Sequence, residues 1–553
     1  MNKTTFLSLG LIALLASCNP SKSIHKIPVP ENTFETINVP AKQQEMYLEE
    51  VQKWPQADLA TDSIPGMSIE KAYEFLADKE GKTVIVGVID SGIDITHEDL
   101  KDNVWTNIDE IPNNGKDDDK NGYVDDINGW NFLGGPEGTA NPEQLELTRL
   151  YAALSKTYDE VSEDEVSESQ QKEYAFYKEL KAEFNEKNEE LQMNVSFFSG
   201  LLERISNSDA FAQKELNKST YSIDELKTLP QDKIDPYLIK VVAAGRSPQK
   251  FIEKLQEGKD YYKGQADFNY NLEFNGRKTN DDVTNLSDVP YGNNYVIGSL
   301  EDEMHGTHVS GISLATRNNG TGMNGVAQNV QLLSVRAIPD GDEYDKDVAL
   351  AIRYAVDNGA KVINMSFGKS YSPNAEWVYD AIKYAEKHDV LLVHAAGNDA
   401  KNIDKVNNFP TDAPDKITEI ADNVITIGSI TKHYDKNLVS SFSNYGRKNV
   451  DIFAPGSEIY STVPNNEYES IQGTSMAAPA VAGVAALIRS YYPELSASQV
   501  KHIIMNSGTK VNFDVLLPGG DETLVSFKDL SVSGSILNAY NALVLANQIV
   551  NQK

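Results

Sequence analysis

Short apolar runs alternate with amphipathic stretches over much of the chain. Thr83-Val84-Ile85-Val86-Gly87-Val88-Ile89-Asp90 is rich in β-branched residues and closes on Asp-Ser-Gly, which predicts a buried parallel strand running into a loop. Just upstream, Met67, Ile69, Ala72, Tyr73 and Leu76 recur at helical spacing. After residue 300 the alternation predicts strands over 330–337, 361–366, 390–395 and 424–429. It predicts helices over 347–358, 377–388 and 473–490. Strands alternating with helices imply an α/β domain whose parallel sheet is covered on both faces. Residues 511–553 read as a C-terminal extension that is strand-like and then helical over 536–549.

Residues 143–275 break the rhythm. From Glu143 to Leu229 there is no Pro and a single Gly, Gly200, and Lys, Glu and Gln dominate. Tyr177, Leu180, Phe184 and Leu191 fall on one helical face, so a mostly helical insertion is expected. Periodicity favours a solvated helical decoration over a regulatory element.

Three segments carry chemistry. Asp90 ends the first strand within Val88-Ile89-Asp90-Ser91-Gly92-Ile93-Asp94. His305 opens His305-Gly306-Thr307-His308-Val309-Ser310-Gly311, and Ser475 sits in Gly473-Thr474-Ser475-Met476-Ala477-Ala478-Pro479. A serine hydroxyl is a poor nucleophile without an adjacent base, and the base needs a carboxylate to fix its tautomer. Asp, His and Ser supply all three roles in that chain order. An Asp at a strand's C-terminal end lies where open α/β sheets place their sites. A Ser opening a helix points its backbone N–H at developing negative charge. Pro479 cannot donate to the Ser475 carbonyl, which loosens that first turn.

Together these segments resemble the subtilases, the subtilisin-like serine proteases, over roughly residues 60–140 and 280–510. The resemblance implies a subtilisin-like three-layer α/β fold with a mostly parallel sheet, here carrying the helical insertion. It implies a peptidase domain over 61–142 and 276–510, with Asp90 as orienter, His305 as general base then acid, Ser475 as nucleophile and His308 as a structural histidine. A fourth match, Ala395-Ala396-Gly397-Asn398, implies that the Asn398 side chain donates to the oxyanion; taken alone, a loop Asn is a cap or turn residue. Ser366-Phe367-Gly368 matches the strand that pairs with extended substrate, a mode giving affinity with little sequence selectivity. His394 reads as a satisfied core histidine, although strand alternation does not say whether it faces core or pocket. Asp90 and His305 are 215 residues apart, a spacing that the insertion explains.

Asp117-Asp118-Asp119-Lys120-Asn121-Gly122-Tyr123-Val124-Asp125 reads D-x-D-x-N-G-x-x-D. Oxygen ligands at alternate positions before a Gly can wrap one Ca²⁺, so Asp117, Asp119, Asn121 and Asp125, with the Tyr123 carbonyl, are the expected ligands. Asn128 stands where an EF-hand has its bidentate Glu, and a metal-free acidic loop is the alternative.

Charge and termini narrow the class. Lys and Arg number 50 against 82 Asp and Glu in 553 residues, a net charge of −32, which argues against a nucleic-acid partner. The single cysteine, Cys18, excludes an intramolecular disulfide framework. Lys3, the apolar run of 6–16 and the small residues after it form a secretory signal pattern over 1–17. Leu15-Ala16-Ser17-Cys18 resembles a bacterial lipobox, implying lipidation at Cys18 and a cell-envelope anchor in the outer membrane; a chance Cys beside an ordinary cleavage site is the alternative. The Pro-containing polar stretch 19–45 reads as a tether within the N-terminal segment 18–60. The expected function is a secreted, membrane-anchored serine endopeptidase acting on polypeptides. The alternative is a binding lipoprotein on an inactive subtilase scaffold. An esterase is disfavoured because no G-x-S-x-G elbow surrounds Ser475.

Overall fold

The computed structural model describes residues 28–552, apart from residues 43, 137, 301, 302 and 521. The expected signal segment and Cys18 lie outside the described residues. Nine strands form the main sheet: β1 (Val84–Asp90), β2 (Gly129–Asn131), β3 (Val330–Arg336), β4 (Val362–Met365), β5 (Leu391–Ala395), β6 (Val424–Ile430), β7 (Ile452–Pro455), β8 (Thr509–Lys510) and β9 (Ser535–Ile536). Their order is β8-β9-β7-β6-β5-β4-β1-β3-β2. Every neighbouring pair is parallel except β8–β9.

Along the chain, α1 (Ile69–Leu76) precedes β1, and α2 (Glu146–Tyr158), α3 (Gln171–Leu216) and α4 (Pro248–Gly264) lie between β2 and β3. Then come α5 (Met304–Leu314), α6 (Asp345–Asp357), α7 (Ala375–Lys387), α8 (Thr474–Tyr491), α9 (Ala497–Ser507) and α10 (Ala539–Asn551). Side-chain alternation explains the three layers. Val84, Val86 and Val88 of β1 and Val362 of β4 face a core shared with α5, α8, α9 and α10. Ile89 and Ile363 face the opposite core, closed by α6 and α7. This is the expected three-layer α/β architecture, with helices covering both faces of a mostly parallel sheet.

Two terminal segments belong to this body. Of the expected tether, residues 19–27 lie outside the described residues, and the described part does not hang free: Val29, Phe34, Ile37 and Val39, with Met46 beyond it, pack on the main core. Asn32 is held twice, its side-chain Nδ2 donating to the Gly508 carbonyl at 2.8 Å and its backbone carbonyl accepting from Lys510 Nζ at 2.7 Å. Beyond residue 510, β9 joins the main sheet beside β7, and Leu543 and Ala546 of α10 are fully buried. Both segments are short on local pattern, and tertiary burial decides their place.

The insertion is built on α3, whose 46 residues extend about 69 Å at 1.5 Å per residue. One small core, with Leu147, Tyr151, Tyr177, Leu180 and Phe184, joins α2 to α3 and reaches Tyr371 of the α/β body. A second core around Leu201, Ile205, Leu238 and Leu255 closes the far part.

Candidate active site

The sheet places the chemistry at the C-terminal ends of its central strands. Asp90 ends β1 and is 2 % exposed, and α5 follows the insertion and carries His305 in its first turn. The two meet because Gly306 leaves room: a Cβ there would stand 2.1 Å from the Gly92 carbonyl oxygen and 3.2 Å from Asp90 Cβ. His305 Nδ1 lies 2.7 Å from Asp90 Oδ1, which also accepts the Ser91 N–H at 2.8 Å. Assigning the proton to Nδ1 leaves Nε2 free to accept. Burial disfavours the charged ring, but the Asp90 charge and hydrogen bond outweigh it and hold the His305 pKa above its usual 6.5.

Ser475 is the second residue of α8. Its hydroxyl donates to the Ser366 carbonyl at 3.2 Å, not to His305, a contact that a hydroxyl rotor can exchange and that often tightens only with substrate bound. In return Ser366 Oγ donates to the Ser475 carbonyl at 2.9 Å, the group that Pro479 leaves without its helical donor. The candidate nucleophile and the strand end Ser366-Phe367-Gly368 are thereby cross-linked.

Asn398 follows β5. Its Oδ1 accepts the Thr474 N–H at 2.8 Å and the Thr474 hydroxyl at 3.0 Å, which fixes the amide orientation and leaves Nδ2 as the outward donor. A Cβ at Gly473 would stand 3.5 Å from the Ser475 backbone nitrogen and 3.6 Å from Asn398 Nδ2, so both nitrogens border one small space. The Asn398 loop is clamped by Asn444, whose Oδ1 accepts from the Asp399 and Lys401 N–H groups and whose Nδ2 donates to the Ala396 carbonyl. The supporting roles of Thr474 and Asn444 have no signal along the chain, because they are formed between segments remote in sequence.

Both remaining histidines of the motifs are buried. His308 Nε2 meets the carbonyls of Ile459 and Glu469 in an adjacent hairpin at 3.0 and 3.1 Å, and burial pushes its pKa down to about 4. His394 is 1 % exposed, contacts the Phe367 carbonyl through Nε2 at 3.0 Å, and is likewise pushed to about 4 by burial. His394 thus braces the Ser366–Gly368 segment from behind.

One edge of that segment is paired, Lys369 exchanging backbone hydrogen bonds with Phe409. The Gly368 N–H and C=O find no partner among the described residues. A second such edge follows β3: Asp340 and Asp342 bond Asn141, Glu143 and Gln144, whereas the intervening Gly341 N–H and C=O are unpaired among the described residues. Alternate residues of an extended chain offer opposite edges, so Gly341 faces away from that pairing. The sequence offered only the glycine as a signal for it.

The acidic loop assembles differently from its expected wrap. Glu110, Asp119 and Asp126 bring one carboxylate oxygen each within 4.8 Å of one another. Asp125 turns back at φ 52° and accepts the Asn114 and Gly115 N–H groups. Asp117 accepts those of Asn121 and Gly122. Asn121 Oδ1 takes the Tyr123 N–H, so its Nδ2 faces Asp119 and Asp126. The Tyr123 ring packs on Trp130 and Tyr354. Of the expected carboxylates Asp119 belongs to the cluster, whereas Asp117 and Asp125 are turned to nearby backbone N–H groups. Burial pushes the Asp126 carboxyl up to about 6. Three hard oxygen donors, two of them buried, suit Ca²⁺ and would be relieved of like-charge contact by it.

Comparison with known proteins agrees with this geometry. The model of the subtilase family matches residues 81–522. Thermophilic serine proteinase of Bacillus sp. (strain AK1) is 42 % identical over 187 residues, covering 34 % of this chain and 42 % of that protein. Subtilisin-like protease 1 of Plasmodium falciparum (isolate 3D7) is 34 % identical over 277 residues, covering 46 % of this chain and 39 % of its own length. The chain therefore spans less than half the length of these two relatives. Thermitase of Thermoactinomyces vulgaris is 39 % identical over 209 residues, 38 % of this chain and 68 % of that protein. With a family match over most of its length and these elements at the sheet's C-terminal edge, the chain belongs to the subtilase family.

Proposed function

We propose that the protein is a serine endopeptidase that hydrolyses polypeptides through Asp90, His305 and Ser475. The observation that carries this reading is the 2.7 Å Asp90–His305 contact at the end of β1, whose neighbour β4 runs into Ser366, the residue bonded to Ser475. Asp90 holds the Nδ1–H tautomer, and His305 Nε2 takes the Ser475 proton as Oγ attacks the scissile carbonyl. The Ser475 N–H and Asn398 Nδ2 receive the oxyanion. His305 then protonates the departing amine, and water hydrolyses the acyl-enzyme along the reverse path. The unpaired edges of Gly368 and Gly341 suit an extended peptide, which adds a strand and bonds through its main chain. The Met1–Cys18 pattern supports an exported, lipid-anchored form.

A fluorophosphonate probe should label the wild type and not Ser475→Ala. A folded wild type that stays unlabelled would favour the binding-protein reading. Asn398→Ala should lower kcat by about 10²–10³ with little change in KM, because the amide acts on charge that develops only in the transition state. A variant losing KM alone would remove Asn398 from that role.

Calcium fits a structural role at Glu110, Asp119 and Asp126, with charge neutralisation as its contribution. Ca²⁺ at a hundredfold excess over Kd should stabilise the protein by about 2.7 kcal/mol, read as a rise in Tm. Asp126→Asn should abolish the rise, and an undiminished rise would place the ion elsewhere.

A further inference from the structure

The helical insertion meets the α/β body at the two chain segments that carry the unpaired edges. Glu146, in the first turn of α2, is 5 % exposed, and its carboxylate accepts from Arg149 Nη2 at 2.7 Å and from Lys369 Nζ at 3.1 Å. Lys369 is the residue after Gly368. Its ammonium also donates to the Glu343 carbonyl at 2.7 Å and lies 2.9 Å from Asp345 Oδ1. Arg149 donates to the carbonyls of Gln144 at 2.8 Å, Asp342 at 2.9 Å and Glu343 at 3.3 Å. The Glu146 N–H closes the circuit on Asp342 Oδ2 at 2.8 Å.

One buried ammonium and one buried guanidinium therefore tie the 341–343 segment to the 368–369 segment, and both are anchored on an insertion helix. The charges persist in this buried setting. Burial opposes the Lys369 charge, but the carboxylates around it, Glu146 foremost, hold its pKa above the usual lysine value. Burial opposes the Glu146 charge as well, but Arg149 and Lys369 outweigh it and hold that carboxyl below its usual range, whereas burial pushes Glu343 up to about 8. A second contact of the same sense lies further along: Tyr371, two residues past Lys369, bonds Glu183 of α3 through its hydroxyl and packs on Phe176.

We infer that α2 of the insertion is a positioning element of the substrate groove, with Glu146 and Arg149 setting the separation of the Gly341 and Gly368 edges through Lys369 and the Asp342 and Glu343 carbonyls. The inference rests on the peptidase reading of the Ser366–Gly368 segment. A peptide strand accepted between two edges needs them about 9.5 Å apart, twice the strand spacing. Its N–H···O bonds need donor and acceptor about 2.7–3.2 Å apart and well aligned, so a displaced edge loses them. A long peptide spends many such bonds and a small ester very few, so edge spacing should register on the long substrate.

The test compares an eight-residue internally quenched peptide with a blocked single-residue ester, beside the rate of fluorophosphonate labelling, in the full chain. Glu146→Gln, which keeps size and removes charge, should lower kcat/KM on the long peptide about tenfold or more, mostly through KM, and on the ester no more than about threefold. Arg149→Lys, which keeps charge and loses the fork, should repeat the pattern and decides the matter if Glu146→Gln does not fold. Equal losses on both substrates, or none on either, would overturn the inference. An unlabelled, folded wild type would instead overturn the peptidase reading beneath it.

Discussion

Ser475→Ala should lower kcat by about 10⁶ while the protein stays folded. The nucleophile is the one atom without which no acyl-enzyme forms, and no neighbouring group replaces it: Ser366 Oγ already donates to the Ser475 carbonyl. The structural cost is small. The variant forfeits the 3.2 Å hydroxyl contact to the Ser366 carbonyl, a net loss of about 1 kcal/mol, and Ala recovers part of it through helix propensity in α8. Turnover of a peptide substrate and the thermal midpoint, measured on the same preparation, separate the two effects. Substantial turnover at an unchanged midpoint would exclude Ser475 as nucleophile.

Asp90→Asn should cost about 10⁴ in kcat and should also move the pH profile. The Asn amide would offer its own N–H to His305 Nδ1 and favour the tautomer with the proton on Nε2, where it blocks proton acceptance from serine. The direction of the pH effect follows from the charges. The neutral ring is the active base, so wild-type kcat/KM should rise with pH through a midpoint above 6.5, because Asp90 favours the protonated ring. Without the Asp90 charge, the burial that opposes ring charge stands alone, and the midpoint should fall. A pH–rate profile of each protein checks both statements. An unmoved midpoint would show that another group controls the profile.

Much of this site was legible in the chain because its parts are local. Asp90 ends a β-branched run, Ser475 opens an Ala-rich helix, and Asn398 follows an apolar strand, so each candidate came with its own secondary-structure signal. His305 had only its motif, since the flat hydrophobicity of a helix buried all round, such as α5, carries no period. Strand β7 and the two-residue strands β8 and β9 were missed for a related reason. At four and two residues they are too short for alternation to show, and they exist because neighbours supply the ladder. The acidic loop is visible in the chain as a run of oxygen donors, but the carboxylates that converge are Glu110, Asp119 and Asp126. Spacing along the chain cannot register Glu110, or anticipate that Asp117 and Asp125 would be taken by nearby N–H groups.

The sequence by itself determined the α/β class, the order of the central strands' chemistry and the family, since residue type, period and motif spacing are properties of neighbours in the chain. Only the tertiary structure decided which remote segments meet: Asp90 with His305 across 215 residues, Ser366 with Ser475 across 109, and Glu146 of the insertion with Lys369 across 223. Those contacts are chosen by packing and by the need to pair buried polar groups, and such requirements are defined only once the chain has closed around them.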